Sequence, residues 1–378
     1  MEKIIIFYPH IQAFGGIERN IVSVIKEIER LKKKHVLICF EDKIHIKRFY
    51  NKINRKVLKG NNLFTKILAL KKFIKTNGCN GDALMWGEKA AMFAYLSSMK
   101  NYSIYYPDPP MLYQENNTSK SLDIFKNIRR WISMQVAKQG LKYANLRFTT
   151  TKKNKKDLER LYNTNFKVIY EGGYKVLKNT KYPIKKIFNR NKINLLTVGR
   201  LSPNRNIEWL IDFFSFLKEK KLTNIYNNST LIICGKGEQF LMLKSKVDLL
   251  NLKKKITFKE FVSDKMLNKI YLKTDLTLIP AIQGYGLPAL ESLYYNIPVV
   301  LNKNSRISEI FTNNPWVKIT KNDKKDFFKK TILAISYFKR ITPNYKYLLK
   351  LPTHQRWANQ IGNLHGWWFT KNDKKGLY

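Results

Sequence analysis

Two doubly wound α/β domains are the fold this sequence predicts, and three observations carry it. Short apolar runs of strand formers recur along the chain, many ending at a glycine or proline and leading into a stretch of helical period. That alternation is the pattern of parallel strands joined by crossover helices. The chain has 378 residues, enough for two such cores, and a polar, lysine-rich stretch with Pro183 divides the pattern. The division is a first domain over 1–173, a linker over 174–191, a second domain over 192–352 and a terminal helix and tail over 353–378. Apolar content of 44% and aromatic content of 13% fit a globular chain and exclude a disordered one. Neither an internal repeat nor a low-complexity segment is present.

In the first domain, Lys3 to Phe7 reads as the opening strand, ended by Tyr8-Pro9. The loop His10 to Phe14 leads to Gly15-Gly16 and a helix from Ile17 to about Leu31, with Ile21, Val24, Ile25 and Ile28 on one stripe. His35 to Phe40 is the next strand. Asn61 to Thr76 is an amphipathic helix in which Lys66, Lys71, Lys72 and Lys75 oppose an apolar side. Two readings stay open for it: a helix packed on the sheet with a solvated basic face, or one facing anionic lipid. Ala83 to Trp86 and Tyr102 to Tyr106 are further strands, the second running into Pro107-Asp108-Pro109-Pro110. Ser119 to Tyr143 is a second basic amphipathic helix, with Ile124, Ile128, Trp131, Ile132 and Val136 among Lys126, Arg129, Arg130 and Lys138. Ala144 to Thr151 reads as a strand ending in a threonine cluster, Lys152 to Tyr162 as a helix, and Lys167 to Tyr170 as a strand before Glu171-Gly172-Gly173.

The second domain opens with the strand Ile193 to Val198 and the loop Gly199-Arg200-Leu201-Ser202-Pro203-Asn204-Arg205-Asn206. Leu231 to Cys234 is a strand leading to Gly235-Lys236-Gly237, and Ile256 to Phe258 is the strand before Glu260-Phe261-Val262. Ser263 is placed to cap the helix carrying Met266, Leu267, Ile270 and Tyr271. Leu276 to Pro280 reads as a buried strand, Gln283-Gly284-Tyr285-Gly286 as a glycine-punctuated loop, and Leu287-Pro288 as the opening of a helix. Val299 to Leu301 follows as the next strand. Strand, glycine loop and helix start is the arrangement a phosphate site needs, because glycines admit close backbone approach and the first helical amides face an anion. It is also the arrangement of an ordinary tight βα turn. Glu291 lies one to two turns into that helix, where a carboxylate can accept hydrogen bonds from ribose hydroxyls.

The run GYGLPALESLYYNIPVV, with Gln283 before it, resembles the donor-binding signature of glycosyltransferase family 4, the GT-B sugar transferases of group 1. That signature pairs two glutamates around a Gly-aromatic-Gly-Leu-Pro core; here the second is Glu291 and the first is replaced by Gln283. The resemblance covers nearly the whole chain and implies the GT-B fold, two Rossmann-like domains facing across a cleft, with a last helix (Thr353 to Leu364, with Trp357) crossing back to the first. It implies that Gly284, Tyr285, Gly286 and Leu287 hold a donor diphosphate and Glu291 the ribose, and that the backbone near Val262 holds the base. It implies that Gln283 contacts the donor sugar and that Gly15 and Gly16 face the donor across the cleft. Arg200 matches the family's Gly-Arg arginine, and Arg205 stands where a lysine is usual; both cations would neutralise the leaving diphosphate, a task arginine performs bidentately. Ser308-Glu309-Ile310 resembles the family's later Pro-Glu-Ile element. Many members carry a histidine where Pro107 stands here; Asp108, beside it, is either a polar or basic group near the acceptor or a turn aspartate.

The expected activity is a hexosyl-type transfer from a nucleotide-sugar to a glycan or polyprenyl-diphosphate-linked acceptor in surface polysaccharide or glycoconjugate synthesis. It is expected to retain anomeric configuration and to need no metal and no cofactor beyond the donor. A degenerate member that binds a nucleotide or partner without turnover is the alternative, motivated by Gln283 and Pro107. The 71 Lys+Arg against 27 Asp+Glu give a formal net charge of +44, which favours an anionic partner, an anionic membrane surface among them. A nucleic-acid module with interleaved stacking aromatics is not found, so no specific nucleic acid is expected. Cys39, Cys79 and Cys234 are too scattered for a disulfide framework or zinc site, and the five histidines have no metal-ligand spacing. No signal peptide or spanning segment is read, so the expected location is cytoplasmic, soluble or peripheral on the inner membrane face. The tail Gly366-Trp367-Trp368-Phe369 is either a membrane-interface contact or packed against the body.

Overall fold

The structure, a computed structural model, describes residues 3–12, 14–77, 82–109, 124–173, 192–260, 262–338 and 351–368. The linker read over 174–191 lies outside these residues, as do Phe261 and Phe369. Two compact units emerge. One comprises the described residues up to Pro109, those from 124 to Gly172, and those from Pro352 onward; the other is Gly173–Leu351.

The first unit holds a sheet of seven strands: β1 (Ile4–Phe7), β2 (His35–Cys39), β3 (Arg55–Val57), β4 (Ala83–Trp86), β5 (Tyr102–Tyr105), β6 (Leu146–Thr149) and β7 (Lys167–Val168). Their spatial order is β3-β2-β1-β4-β5-β6-β7, every pair parallel. Because parallel strands are covered on both faces, β1 is apolar throughout and buried throughout. Ile5 and Phe7 enter the core shared with α2 (Leu63–Thr76), α3 (Glu88–Leu96), α4 (Ile124–Lys142) and α5 (Lys152–Tyr162). Ile4 and Ile6 face the opposite core, with α1 (Gly16–Arg30) and the last helix, α12 (His354–Leu364). The period-2 alternation thus sorts the helices onto two faces.

The second unit repeats the plan with six parallel strands: β8 (Ile193–Val198), β9 (Ser229–Cys234), β10 (Ile256–Lys259), β11 (Leu276–Ile279), β12 (Val299–Asn302) and β13 (Val317–Thr320). Their order is β10-β9-β8-β11-β12-β13. The chain lays down β8, β9 and β10 in one direction, then returns to place β11 on the other side of β8. This reversal puts the loops after β8 and β11 side by side, where open α/β sheets bind ligands.

Most boundaries agree with the sequence reading to within two residues. Ser263 caps α9 (Asp264–Lys273) by accepting from the Met266 amide, and Pro288 sits in the first turn of α10 (Leu287–Tyr294). Several elements escaped it. β3 is an edge strand of sequence Arg-Lys-Val, too charged to read as one. α3 is apolar nearly all round because it lies between the sheet and α4; a Cβ on Gly140 of α4 would stand 2.0 Å from the Ala91 carbonyl oxygen. The sequence reading also lacks the helices α6 (Ile207–Glu219), α7 (Thr223–Asn228), α8 (Phe240–Leu249) and α11 (Lys324–Phe338).

α12 belongs to the first unit. Trp357 packs edge-on against Trp86 at 6.3 Å and near Tyr105 at 5.6 Å between ring centroids. A Cβ on Gly172 would fall 1.9 Å from the Thr353 carbonyl carbon, so the departing and returning chain touch backbone to backbone. Of the two readings of the aromatic tail, packing holds as far as Trp368: Trp367 is buried and donates to the Asp82 carbonyl at 2.9 Å, and Trp368 donates to the Asn359 carbonyl at 3.2 Å.

Glu171, His354 and His365 of this unit are shifted strongly by burial. Glu171 accepts from the Tyr105 hydroxyl, and burial pushes its carboxyl up to about 8. Burial lowers His354 to about 3, with Arg19 and Lys26 adding to the effect, and lowers His365 to about 4. The signs oppose. Folded Glu171 keeps a proton that the unfolded chain releases above the ordinary value of 4.5, so this contribution shrinks from there and is lost as pH rises through about 8. The histidines stay neutral where the unfolded chain protonates below the ordinary value of 6.5, so their contribution is lost as pH falls toward 4 and 3. From these three groups, the melting temperature is expected to peak near pH 6–7. Glu171→Gln should remove the fall between pH 6.5 and 8 and steepen the rise between pH 4.5 and 6.5, changes that thermal scans across pH will read.

Candidate functional site

The loop from Pro280 to Gly286 joins the carboxyl end of β11 to α10. Gly286 caps α10 in the left-handed region, φ +90°, a conformation that costs an L side chain strain. Space forbids a side chain as well: a Cβ there would lie 2.6 Å from Gln283 Nε2 and 2.9 Å from Ser305 Oγ. Those two groups are bonded to each other, the Gln283 amide donating to the Ser305 hydroxyl at 2.8 Å. The segment after β12 completes the fastening. Arg306 N–H donates to the carbonyls of Gln283 (3.2 Å) and Gly284 (2.9 Å), and Ile307 N–H donates to that of Tyr285 (3.1 Å). Gln283 and Tyr285 are buried, so the glycine loop is a fixed element leading into the positive end of α10.

The loop after β8 is fastened to the same place. The Ile282 N–H donates to the Asn204 carbonyl at 2.7 Å, and the Asn204 side-chain amide donates back to the Ile282 carbonyl at 3.1 Å. Asn206, left-handed at φ +50°, donates from Nδ2 to the Pro280 carbonyl at 3.0 Å. Arg205 lies between these two clips and is half-buried, whereas Arg200 is exposed at the loop's opening. The glycine turn after β9 backs the loop: a Cβ on Gly235 would meet the Gly199 carbonyl at 1.8 Å, and Leu201 N–H donates to Lys236 at 2.9 Å.

Glu291 is buried, 7% exposed, one turn into α10. Its Oε2 accepts from the Tyr271 hydroxyl of α9 at 2.9 Å. Tyr271 stacks on Tyr295 at 5.0 Å, and Tyr295 in turn donates to Asn268 at 2.7 Å. Val262 packs against the cluster containing Tyr271 and Tyr295. Two residues the sequence assigned separately, Glu291 and Val262, therefore meet one cluster.

In the first unit, Gly15 and Gly16 are exposed at the start of α1. The Gly15 N–H is already engaged, donating to the Glu18 carboxylate at 2.9 Å. Asp108 is half-buried between prolines. The threonine cluster fixes this segment: the Pro107 carbonyl accepts from Thr150 Oγ1 at 3.0 Å, from Thr149 Oγ1 and from the Asn154 side chain.

The structure thus ties the loop that carries Arg205 to Pro280 and Ile282, just ahead of Gln283–Gly286, and brings Glu291 and Val262 to one cluster, within the second unit. Asn204, Asn206, Tyr271 and Ser305 went unread as site residues. Their one sequence signal is Asn at 206, a residue tolerated at positive φ; the others act through contacts across 20 or more residues.

Residues 178–336 match the model of the family glycosyl transferases group 1. Over 134 residues the chain is 32% identical to the O-antigen chain mannosyltransferase RfbU of Salmonella typhimurium, a match spanning 35% of this chain and about a third, 35%, of that relative. Among solved structures it is similar to the sucrose-phosphate synthase of Thermosynechococcus elongatus (TM-score 0.77, 14% identity, 97% of this chain and 99% of that one). It is also similar to HepE of Anabaena, solved with UDP and glucose (TM-score 0.71, 16% identity, 96% and 99%). At such identities the structures speak for the fold. The family match is thus to the second unit, over residues 178–336, and the fold of the whole chain is the GT-B fold of these glycosyltransferase structures.

Gly286→Ala is expected to lower stability by about 1–3 kcal/mol through strain at positive φ and the clash with Gln283 and Ser305. Denaturant unfolding measures it; an unchanged midpoint would remove the requirement argued for this glycine.

Proposed function

We propose that the chain transfers a sugar from a nucleotide-sugar to a glycan or polyprenyl-diphosphate-linked acceptor in surface polysaccharide or glycoconjugate synthesis. The observation that carries the reading is the clip at the β8/β11 reversal. It holds Arg205 beside the glycine loop, one turn ahead of buried Glu291. RfbU, a mannosyltransferase of O-antigen chains, and HepE, solved with UDP and glucose, support the class of substrate.

In this reading Arg200, Arg205 and the first turn of α10 receive the donor diphosphate. Their charge and dipole are in place before the glycosidic bond breaks, so the departing diphosphate needs no reorganisation and no metal ion. Glu291, oriented by Tyr271, accepts from the ribose hydroxyls, and the backbone at Val262 meets the base. Gln283, oriented by Ser305, meets the donor sugar with a neutral amide in place of a carboxylate. Asp108 serves the acceptor side as a polar or basic group. Transfer retains the anomeric configuration, and the enzyme works in the cytoplasm at the inner membrane face.

A second reading, nucleotide binding without turnover, rests on Gln283 and on Pro107, whose carbonyl is committed to Thr150 and Asn154.

The test is thermal stabilisation by a panel of nucleotide-sugars and free nucleotides. One donor is expected to raise the melting temperature. Glu291→Ala and Arg200→Ala should each weaken it by about 1.5–3 kcal/mol, roughly 10- to 100-fold. No response to any nucleotide would overturn both readings; a response without sugar transfer to any lipid-linked acceptor would leave the second.

A further inference from the structure

α4 packs along only half its length. In its second half Ala137 and Leu141 are buried, Gly140 lies against Ala91, and the Gly140 carbonyl accepts from the Tyr102 hydroxyl at 2.7 Å. Its first half stands clear of the body. Phe125 is 80% exposed, Trp131 58%, and Ile128 and Ile132 are about half exposed. At about 100° per residue these four share one arc, roughly 120° wide; Arg129 flanks that arc beside Phe125, and Arg130 lies on the opposite side of the same turns. A helix built to pack on its own sheet would bury such an arc; here the arc is what it presents.

α2, on the same face of the sheet, repeats the pattern. Leu70 and Phe73 are buried in the shared core, while Phe64 is 68% exposed and Leu68 48%, beside the exposed Lys71, Lys72 and Lys75. Neither α2 nor α4 contains a single Asp or Glu, so nothing within them offsets their cations. Of the two readings left open for α2, the structure therefore supplies parts of both: a packed side and an apolar-basic side that is bare.

We propose that this helical face of the first unit docks on an anionic lipid bilayer. Phe125, Ile128, Trp131 and Ile132 insert at the boundary between head groups and acyl chains, and Arg129 of α4 with Lys71, Lys72 and Lys75 of α2 lie among the lipid phosphates. A bilayer is the occupant whose chemistry matches both halves of the surface, acyl chains for the arc and fixed negative charge for the cations. Among the described residues no helix is long and apolar enough to cross a membrane, so the contact is interfacial. The docking stands on the geometry of α4 and α2; its use, bringing the enzyme to a lipid-linked acceptor, rests on the function proposed above.

The experiment is sedimentation of the full-length protein with vesicles at physiological salt, phosphatidylcholine alone against phosphatidylcholine with about a third phosphatidylglycerol. Binding to the anionic vesicles only is expected. Phe125→Ser with Trp131→Ser should weaken it by at least about tenfold, Trp131→Phe should leave it, and Arg129→Glu with Arg130→Glu should abolish it. Melting temperatures check that the variants fold, and Ile128→Ser with Ile132→Ser replaces the first pair if that pair does not. Failure of the wild type to bind anionic vesicles overturns the proposal. So does equal binding by the apolar variants, which would mean adsorption of any polyanion by net charge. The donor-induced thermal shift, read on the same samples, separates the two claims: a shift without vesicle binding sinks the docking alone, and vesicle binding without a shift sinks the transferase reading alone.

Discussion

Two asparagines hold the second unit's site together. Asn204 and Asn206 come from the loop after β8, yet their side chains end on the carbonyls of Ile282 and Pro280 beyond β11. The Ile282 carbonyl lies in an irregular segment, where a lost partner would leave a polar group bare, and the Pro280 carbonyl accepts from Asn302 of β12 as well, at 2.9 Å. Tying the loops there fixes the backbone on both sides of Arg205, and the glycine loop begins at the residue after the clips. An arginine on a free surface loop would spend entropy to reach an anion; one held between two clipped residues is already placed.

The same loop is braced from the other side. Gly286 has no room for a Cβ because the Gln283–Ser305 hydrogen bond crosses the space it would fill. Arg306 and Ile307 take up the carbonyls of residues 283–285. Glu291 is carried on a helix only eight residues long, whose position depends on the Tyr271 bond and the Tyr271–Tyr295 stack. Such short elements have little stability of their own, so their placement comes from neighbours. In the first unit the corresponding device is the backbone contact of Gly172 with Thr353, close to where Glu171 is buried against Tyr105.

Much of this was legible. β1, β4, β8 and β11 announce themselves as apolar runs, α5 is bounded as read, and the Gly-Tyr-Gly-Leu-Pro core marks the loop and helix start. What stayed hidden has physical causes. α3 carries no amphipathic period because both its sides are covered, and β3 is a charged edge. Tyr271 looked like one more apolar residue of its helix, since its partner lies 20 residues away.

The sequence alone determined the alternation of strand and helix, the glycines where the backbone must turn or approach closely, and the supply of cations. These are local properties, set by period, by φ and by residue chemistry. Only the tertiary structure decided that the loops after β8 and β11 lie side by side, because strand order depends on which strand each crossover returns to. It alone decided that Trp367 is core while Trp131 is bare. The two tryptophans sit in similar company, aromatic and basic, and differ only in what the rest of the fold brings against them.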